Sequence, residues 1–437
     1  MMATSAQAAR ASASVSSRSA EAEPAQLRIL VLAGRDAAHP GAAGGDLQAW
    51  EWARWLASRG HEVHFLCQAH PSLKERECSN GVQIARLRGG LAMPLRAWRY
   101  YRGDRDTFDF VYEDPIGAGR PPFFSPVWSG KPVVAVWHQV SRQLLHELYP
   151  RPIAAILGRV ERIIAILYRR CFLWAPSEET AHAVVSELGF KESHVHVLHP
   201  TRELGEAPDA TSSGTSERKH ILALGLFRRY KAFEHAIRAL PAVLQEAPNA
   251  RLTIAGRRSD DGYEQEMRAL AVTLGVERQV SFVTDLSEEE KRRLLTSTDL
   301  MVLPSLLEGY GIVTIEANEV NVPVIASSGV PVAAVEDGVN GLRYDFGDIS
   351  QLSRLISRCL TDDLAYASLV SGCRTYAEGR TVEAMSPRFA SLIEAALDAG
   401  SASPFRTGRC RSQWQRPAAD SPEQGRMDGL AEARPRV

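Results

Sequence analysis

A chain of 437 residues is too long for one ordinary hydrophobic core, so two domains are expected. With 45 % apolar and 24 % charged residues and a net charge of −1, it has the make-up of a globular protein and lacks the basic footprint of a nucleic-acid binder. Its six cysteines form no Cys-x-x-Cys pair, which argues against a zinc site or a disulfide framework and fits a reducing compartment, and no apolar run reaches the ~18 residues of a membrane span.

Residues 1–25 are rich in Ala and Ser without an apolar stretch, and read as a disordered tail rather than a secretory signal. Leu27–Leu32 is the opening strand. A Gly/Ala loop ends in Gly44-Gly45-Asp46, Leu47–Arg59 is helical with Gly60 as its stop, and His61–Leu66 is the second strand. Strand, glycine loop, helix and strand make a βαβ unit whose turn faces a nucleotide or phosphate. The loop is not Gly-x-Gly-x-x-Gly, so a dinucleotide reading is weak.

Further strands are expected at Val82–Leu87, Phe108–Tyr112 and Pro132–Trp137. The last of them ends at His138, and a side chain at the carboxyl end of a parallel strand points into the ligand cleft. Asp104-Arg105-Asp106 looks like a metal signature, but no strand runs into it, and we read it as a solvated loop. Ile153–Arg170 is amphipathic, with aliphatic side chains at helical spacing and Arg159, Arg162, Arg169 and Arg170 on other faces. That pattern leaves two readings open: a helix packed on the sheet, or a basic helix lying on an anionic membrane. Phe172–Ala175 and His194–Leu198 complete the first set of strands, with a helix between them that starts after Pro176.

Residues 201–219, rich in Ser, Thr, Gly and Pro, mark a linker. A second sheet opens at Ile221–Gly225 and is followed by Arg228, Arg229 and Lys231, then a helix from Ala232 or Phe233 to Leu244. Three cations after a strand and ahead of a helix suit a pyrophosphate. Ala250–Gly256, Val280–Val283, Leu300–Leu303 and Val322–Ala326 are the next strands. Ser287 and Glu290 form a capping box for a helix over Ser287–Ser297. Asp337–Gly341 reads as a hairpin before the closing strand, and three helices follow, at Ile349–Leu360, Leu364–Ala377 and Thr381–Leu397. Residues 400–437 read as a second disordered tail.

The chemistry concentrates in Pro304-Ser305-Leu306-Leu307-Glu308-Gly309-Tyr310-Gly311-Ile312-Val313, ahead of a helix expected at Thr314–Val320. Two glycines around one aromatic allow a turn with outward-facing amides, and the helix start adds its positive dipole end, which together suit an anion. Glu308 and Glu316 bracket that site, and carboxylates accept hydrogen bonds from sugar or ribose hydroxyls.

The order strand, Pro-Ser, Glu-Gly-aromatic-Gly, apolar run, Glu resembles the signature of retaining family-4 glycosyltransferases of the GT-B fold, which carry a group-1 glycosyl transferase domain; the likeness covers about residues 26–398. The resemblance implies an α/β protein of two doubly wound Rossmann-like domains facing across a cleft. Residues 26–200 would be the acceptor side, residues 220–380 the nucleotide-sugar side, and a last helix at about 381–398 would cross back to the first domain. It implies metal-independent transfer of a hexosyl group, with retention, from a UDP- or GDP-linked sugar to a hydroxyl acceptor in glycan, glycolipid or glycoconjugate synthesis. No cofactor is implied beyond the nucleotide sugar. The acceptor is unknown, with lipid-linked acceptors common among relatives, so the location implied is cytoplasmic or peripheral at the inner membrane face. In these roles Glu308 holds a sugar hydroxyl, Lys231 neutralises the departing diphosphate with an arginine, and His138 orients the sugar. Gly44, Gly45, Gly309, Tyr310, Gly311, Ile312 and Val313 approach the donor, and Glu316 takes the ribose. The chain departs from the pattern at Leu226, where an arginine is usual, so that Arg228 or Arg229 would substitute, and at Ala232, where a glycine is usual. Ser327–Ala333 keeps one glycine of a Gly-Gly-x-x-Glu turn and lacks the glutamate. A nucleotide-sugar epimerase or hydrolase of the same fold, and a non-catalytic partner that kept it, are the alternative readings.

Overall fold

The computed structural model describes residues 26–104, 107–115, 121–202, 218–258 and 261–401. The two expected tails, apart from Gly400 and Ser401, most of the expected linker, and Arg105-Asp106 of the Asp-x-Asp stretch lie outside the described residues.

Two sheets organise the chain. The first contains β1 Arg28–Leu32, β2 Glu62–Gln68, β3 Arg76–Ser79, β4 Val82–Leu87, β5 Phe110–Glu113, β6 Val133–Val136, β7 Phe172–Ala175 and β8 Val195–Val197. Their order across the sheet is β3-β4-β2-β1-β5-β6-β7-β8, and every pairing is parallel except β3 with β4. The second contains β9 His220–Leu224, β10 Arg251–Gly256, β11 Val280–Thr284, β12 Leu300–Leu303, β13 Val324–Ser327 and β14 Gly341–Tyr344, in the all-parallel order β11-β10-β9-β12-β13-β14. Parallel strands need crossovers that cover both faces with helices, which is why β6 and β12 are apolar throughout and β5, apolar but for Glu113, is buried end to end with them. All of these elements belong to one compact unit.

The strand order fixes where a ligand can sit. In the first sheet the chain steps outward one way from β1 through β2 and the other way from β5 through β8. In the second it steps one way from β9 and the other from β12. Between such neighbours the crossovers leave to opposite faces and open a crevice at the carboxyl ends. The loops after β1, β5, β9 and β12 are therefore the candidate ligand loops.

The last helix, Val382–Ser401, joins the second half to the first sheet and runs into the stretch expected as a tail. It packs on β6, β7 and the helix Gly44–Ser58. Phe389, fully buried, stacks on Trp52 at 4.1 Å and meets Trp55 and Tyr112 edge-on. Two expectations are corrected. Asp337–Gly341 is not a hairpin, because β13 and β14 run parallel; it is a tight turn closed by the Gly338 amide on the Gly341 carbonyl at 2.8 Å. The edge strand β3 is absent from the sequence reading because Arg-Glu-Cys-Ser has no apolar alternation. Arg86 holds it in place, bridging Asp36 at 2.5 Å and Glu77 at 2.8 Å.

The helix Arg151–Tyr168 turns its small and polar face inward. Ala154, Glu161, Ala165 and Tyr168 are buried, and Glu161 accepts from the Ser141 amide at 3.1 Å. Ile164 packs against the core, but Ile153, Ile156, Val160, Ile163, Ile166 and Leu167 face out, so packing on the sheet does not account for these.

Burial is the largest cause holding the imidazoles of His39, His61, His196, His199 and His235 below their ordinary value of 6.5. A histidine that resists protonation in the native state lets the unfolded chain bind more protons once pH falls below that value, so stability drops with pH there. Burial raises the carboxyls of Asp46 and Glu161, which act in the opposite sense but closer to the carboxylate range. The melting temperature is therefore expected to fall between about pH 7.5 and about pH 5.5. A scanning-fluorimetry series reads this directly, and a flat profile over that window would contradict it.

Candidate active site

A cleft of about 630 Å³ opens where the carboxyl ends of the two sheets meet. Its first wall begins with the loop after β1. Gly44 and Gly45 are not loop residues but the first two positions of the helix Gly44–Ser58. Asp46, in the same turn, ties the loop down by accepting from the amides of Arg35 and Ala43, both at 3.0 Å. Glycine is required here by proximity. A Cβ at Gly45 would stand 2.6 Å from His138 Nε2, and one at Gly44 would strike the Ile312 side chain of the facing wall. At these two positions the helix start thus brings backbone, not side chains, to the cleft.

His138 follows β6, and its Nε2 lies 3.4 Å from Oδ2 of Asp114, the residue after β5. Asp46, Asp114 and His138 all line the cleft. Burial first, and then the Asp114 charge, raise the Asp46 carboxyl above its ordinary range.

The second wall carries the cation expected to face a phosphate. Arg229–Lys231 forms one 3₁₀ turn, in which successive side chains point about 120° apart. That geometry separates the three cations. Lys231 enters the cleft, with its Nζ 2.5 Å from Glu308 Oε1 and both side chains 11 % exposed. Arg229 points outward and holds Glu266 with both guanidinium ends at 2.6 and 2.7 Å. Arg228 is exposed and does not line the cleft. The expectation that Arg228 or Arg229 joins Lys231 is corrected accordingly. Arg257, just past β10, lines the cleft instead. Ala232 closes the turn in the left-handed conformation at φ +48°, where the resemblance has glycine. An alanine there costs about 1 kcal/mol of backbone strain, which its buried methyl partly offsets.

Burial works against the Lys231 ammonium, but the Glu308 carboxylate and the hydrogen bond to it outweigh burial and raise its pKa. Ser305 Oγ donates to the same Glu308 oxygen at 2.6 Å, and the Glu308 amide donates to the Gly329 carbonyl at 3.0 Å. The Leu306 amide donates to the Tyr230 carbonyl at 2.8 Å, which locks the two loops together.

After Glu308 the chain touches the first wall again. A Cβ at Gly309 would fall 2.0 Å from the His138 carbonyl oxygen, so only glycine fits. Tyr310 lines the cleft and commits its hydroxyl elsewhere. Its hydroxyl donates to the Ala333 carbonyl at 2.9 Å and accepts from Arg380 at 2.8 Å. Gly311 has a φ of +97°, and the Thr314 amide donates to its carbonyl. Among the described residues no backbone hydrogen bond takes the amides of Gly311, Ile312 or Val313, and all three residues line the cleft. The helix that follows is Val313–Glu319, one residue earlier than expected.

Glu316 lies in the first turn of that helix, 6 % exposed and behind the cleft wall. Its Oε1 accepts from Arg202 at 2.9 Å and from Lys291 at 3.0 Å. Its Oε2 is buried and has no partner among the described residues. Lys291 lines the cleft, and Arg202 stands at the exit from the first lobe, where its amide donates to the Arg380 carbonyl at 2.9 Å. Arg202 also lies 3.8 Å from Glu319, which Arg292 holds at 2.9 Å.

The structure therefore brings together Gly44, Gly45, His138, Lys231, Glu308, Gly309, Tyr310, Gly311, Ile312 and Val313, with the Tyr310 hydroxyl engaged by Ala333 and Arg380, and sets Arg228 and Arg229 apart from them. Asp46, Asp114, Arg202, Arg257 and Lys291 escaped the sequence reading. The strand-end argument that singled out His138 applies equally to Asp114 after β5 and to Arg257 after β10. No local signal marks Arg202 or Lys291, whose partners are far away in the chain.

Comparison with known proteins follows this geometry. The family profile described as glycosyl transferases group 1 matches residues 209–377, and that described as glycosyltransferase family 4 matches residues 43–204. A D-inositol 3-phosphate glycosyltransferase of Salinispora arenicola is 28 % identical over 294 residues, which are 62 % of this chain and 65 % of the relative. Its counterpart in Mycolicibacterium smegmatis is 30 % identical over 222 residues, 48 % of this chain and 50 % of the relative. The alignments thus span half to just under two thirds of these relatives' own length. Among solved structures, sucrose-phosphate synthase from Thermosynechococcus elongatus superposes with a TM-score of 0.69 at 18 % identity, covering 86 % of this chain and 100 % of the other. Anabaena HepE in complex with UDP superposes at 0.65 with 18 % identity, covering 85 % and 100 %. The chain belongs to the family-4, group-1 glycosyltransferases, and its two facing sheets are the GT-B fold.

Proposed function

We propose that this protein moves a hexosyl group from a nucleotide diphosphate sugar, UDP- or GDP-linked, to a hydroxyl acceptor, with retention at the anomeric carbon and without a metal. The observation that carries this reading is Lys231 at 2.5 Å from Glu308, inside a cleft walled by amide-bearing turns from both sheets. A diphosphate leaving group gathers negative charge as the C1–O bond breaks, so catalysis needs fixed positive charge and amides at that place. Lys231 and Arg257 supply the charge, and Gly311, Ile312 and Val313 supply the amides. Among the described residues both hydrogen bonds to the Glu308 carboxylate go to Oε1, which leaves Oε2 to take a hydroxyl of the transferred sugar. His138, steadied by Asp114, borders the same space and orients the sugar's far edge. Glu316 Oε2, buried and without a partner among the described residues, would take a ribose hydroxyl only once Lys291, which lines the cleft and holds Oε1, turns aside. The acceptor oxygen forms the new bond to C1, and its proton passes to the departing phosphate oxygen, so no side chain acts as nucleophile.

A thermal-shift screen with UDP-, GDP- and ADP-sugars selects the donor. Proton NMR of the product then reads the anomeric configuration, with inositol phosphates heading the acceptor panel because of the relatives' names. Inversion, or no shift with any donor, would contradict the reading. The clamp makes a sharper prediction. Arg257→Ala is expected to weaken donor binding about 10- to 100-fold, the worth of a charge-assisted hydrogen bond, while Arg229→Ala leaves it unchanged. Calorimetric titration of both variants separates them, and the reverse order would misplace the arginine.

A further inference from the structure

The helix Arg151–Tyr168 has a face that none of the described residues covers. Ile153, Ile156, Val160, Ile163 and Leu167 are each between 41 % and 62 % exposed. At ~100° per residue these five fall within an arc of about 80°. Val127, on the short helix Ser125–Trp128 that packs beside it, adds a further aliphatic side chain at 66 % exposure. The next arc of the same helix carries Arg151, Arg159 and Arg162, with Arg170 just beyond its end, all exposed. The one acidic residue of the helix, Glu161, is buried and held by the Ser141 amide. The exposed surface is therefore an aliphatic stripe beside a cationic arc that Ile166, itself exposed, interrupts, and it is free of carboxylates on the helix itself.

We infer that this face docks on an anionic lipid surface, with the aliphatic stripe entering the headgroup–acyl boundary and the arginines pairing with lipid phosphates. Charge complementarity selects this occupant. A second copy meeting the first through the same face could cover the aliphatic stripe, but it brings the arginines no carboxylate from this helix, whose one acid is buried. A lipid surface satisfies both halves of the face at once. Among the described residues no helix is long and apolar enough to cross a membrane, so the contact lies along the surface. Docking there would bring the cleft to an acceptor held in the membrane, an extension that rests on the sugar-transfer reading; the docking itself does not.

The test is sedimentation of the full chain with vesicles of phosphatidylglycerol and phosphatidylcholine, against vesicles of phosphatidylcholine alone. Binding is expected with the anionic vesicles only, and is expected to weaken at least ~10-fold in high salt. Ile156→Glu with Ile163→Glu, and separately Arg159→Glu with Arg162→Glu, are each expected to reduce binding by at least ~10-fold. Both pairs are on the surface, and an unchanged melting temperature shows that they fold. Equal binding to both vesicle types, or binding that survives both double variants, overturns the inference. So does a wild-type dimer that binds no vesicles and becomes monomeric in the Ile156→Glu, Ile163→Glu variant. Vesicle binding without turnover of any donor upholds docking and removes the sugar-transfer reading; turnover without vesicle binding does the opposite.

Discussion

Lys231→Ala is expected to lower kcat/KM by about a thousandfold or more, the effect of removing a fixed charge from where a leaving phosphate develops its own. The side chain is 11 % exposed and stands on a turn locked to the facing loop by the Tyr230–Leu306 hydrogen bond, so its position is set before any ligand arrives. The substitution also strips Glu308 of its counter-ion, and part of the loss could then come from a displaced acid. The double variant Lys231→Ala, Glu308→Gln separates the two effects. Residues acting in one unit show non-additive losses, so the double variant is expected to be little worse than the worse single one. Activity within tenfold of wild type in Lys231→Ala would remove this residue from the mechanism.

Glu308→Gln is expected to lower kcat by about a hundredfold, because a charge-assisted hydrogen bond to the sugar becomes a neutral one. The amide keeps the shape of the acid and can still accept from Ser305 and Lys231. The variant makes a second, more specific prediction. Burial alone pushes the Lys231 ammonium toward deprotonation, and Glu308 is what reverses that. Without the carboxylate the folded pKa of Lys231 falls, so the alkaline limb of the pH–rate profile should move to lower pH. A profile of kcat/KM in both proteins reads the shift. An alkaline limb that stays in place would show that Glu308 does not hold the charge of Lys231.

Much of the fold was legible because parallel sheets write themselves plainly. β4, β7 and β12 have the bounds that their apolar runs indicated, and the Ser287–Glu290 box caps its helix as the pattern implied, with Ser287 accepting the Glu290 amide at 3.2 Å. β3 was hidden because a polar edge strand is made by its neighbour and by Arg86, not by its own sequence. In the site, Lys231 and Glu308 could be singled out because each lies in a loop after a central strand. The arginine could not, because a 3₁₀ turn, and not the composition Arg-Arg-Tyr-Lys, decides which cation turns inward. Arg257 lines the cleft from the end of the adjacent strand, a proximity that one sequence cannot display. The Glu316 network has the same character: Arg202 and Lys291 are 114 and 25 residues away from it, the differences 316 − 202 and 316 − 291, and meet it only in the fold. The Arg151–Tyr168 helix shows the limit of periodicity. The pattern announced two faces, and only packing revealed that the small one is buried.

The central claim is that a diphosphate is gripped between the Gly311–Val313 amides and Lys231. Calorimetric titration with the nucleoside diphosphate of the selected donor, in the wild type and in Lys231→Ala, tests it most directly, with the nucleoside monophosphate as the control ligand. The account predicts that the substitution weakens the diphosphate at least ~10-fold and the monophosphate far less, since the distal phosphate is the one that Lys231 meets. Equal affinity of the two proteins for the diphosphate would contradict it.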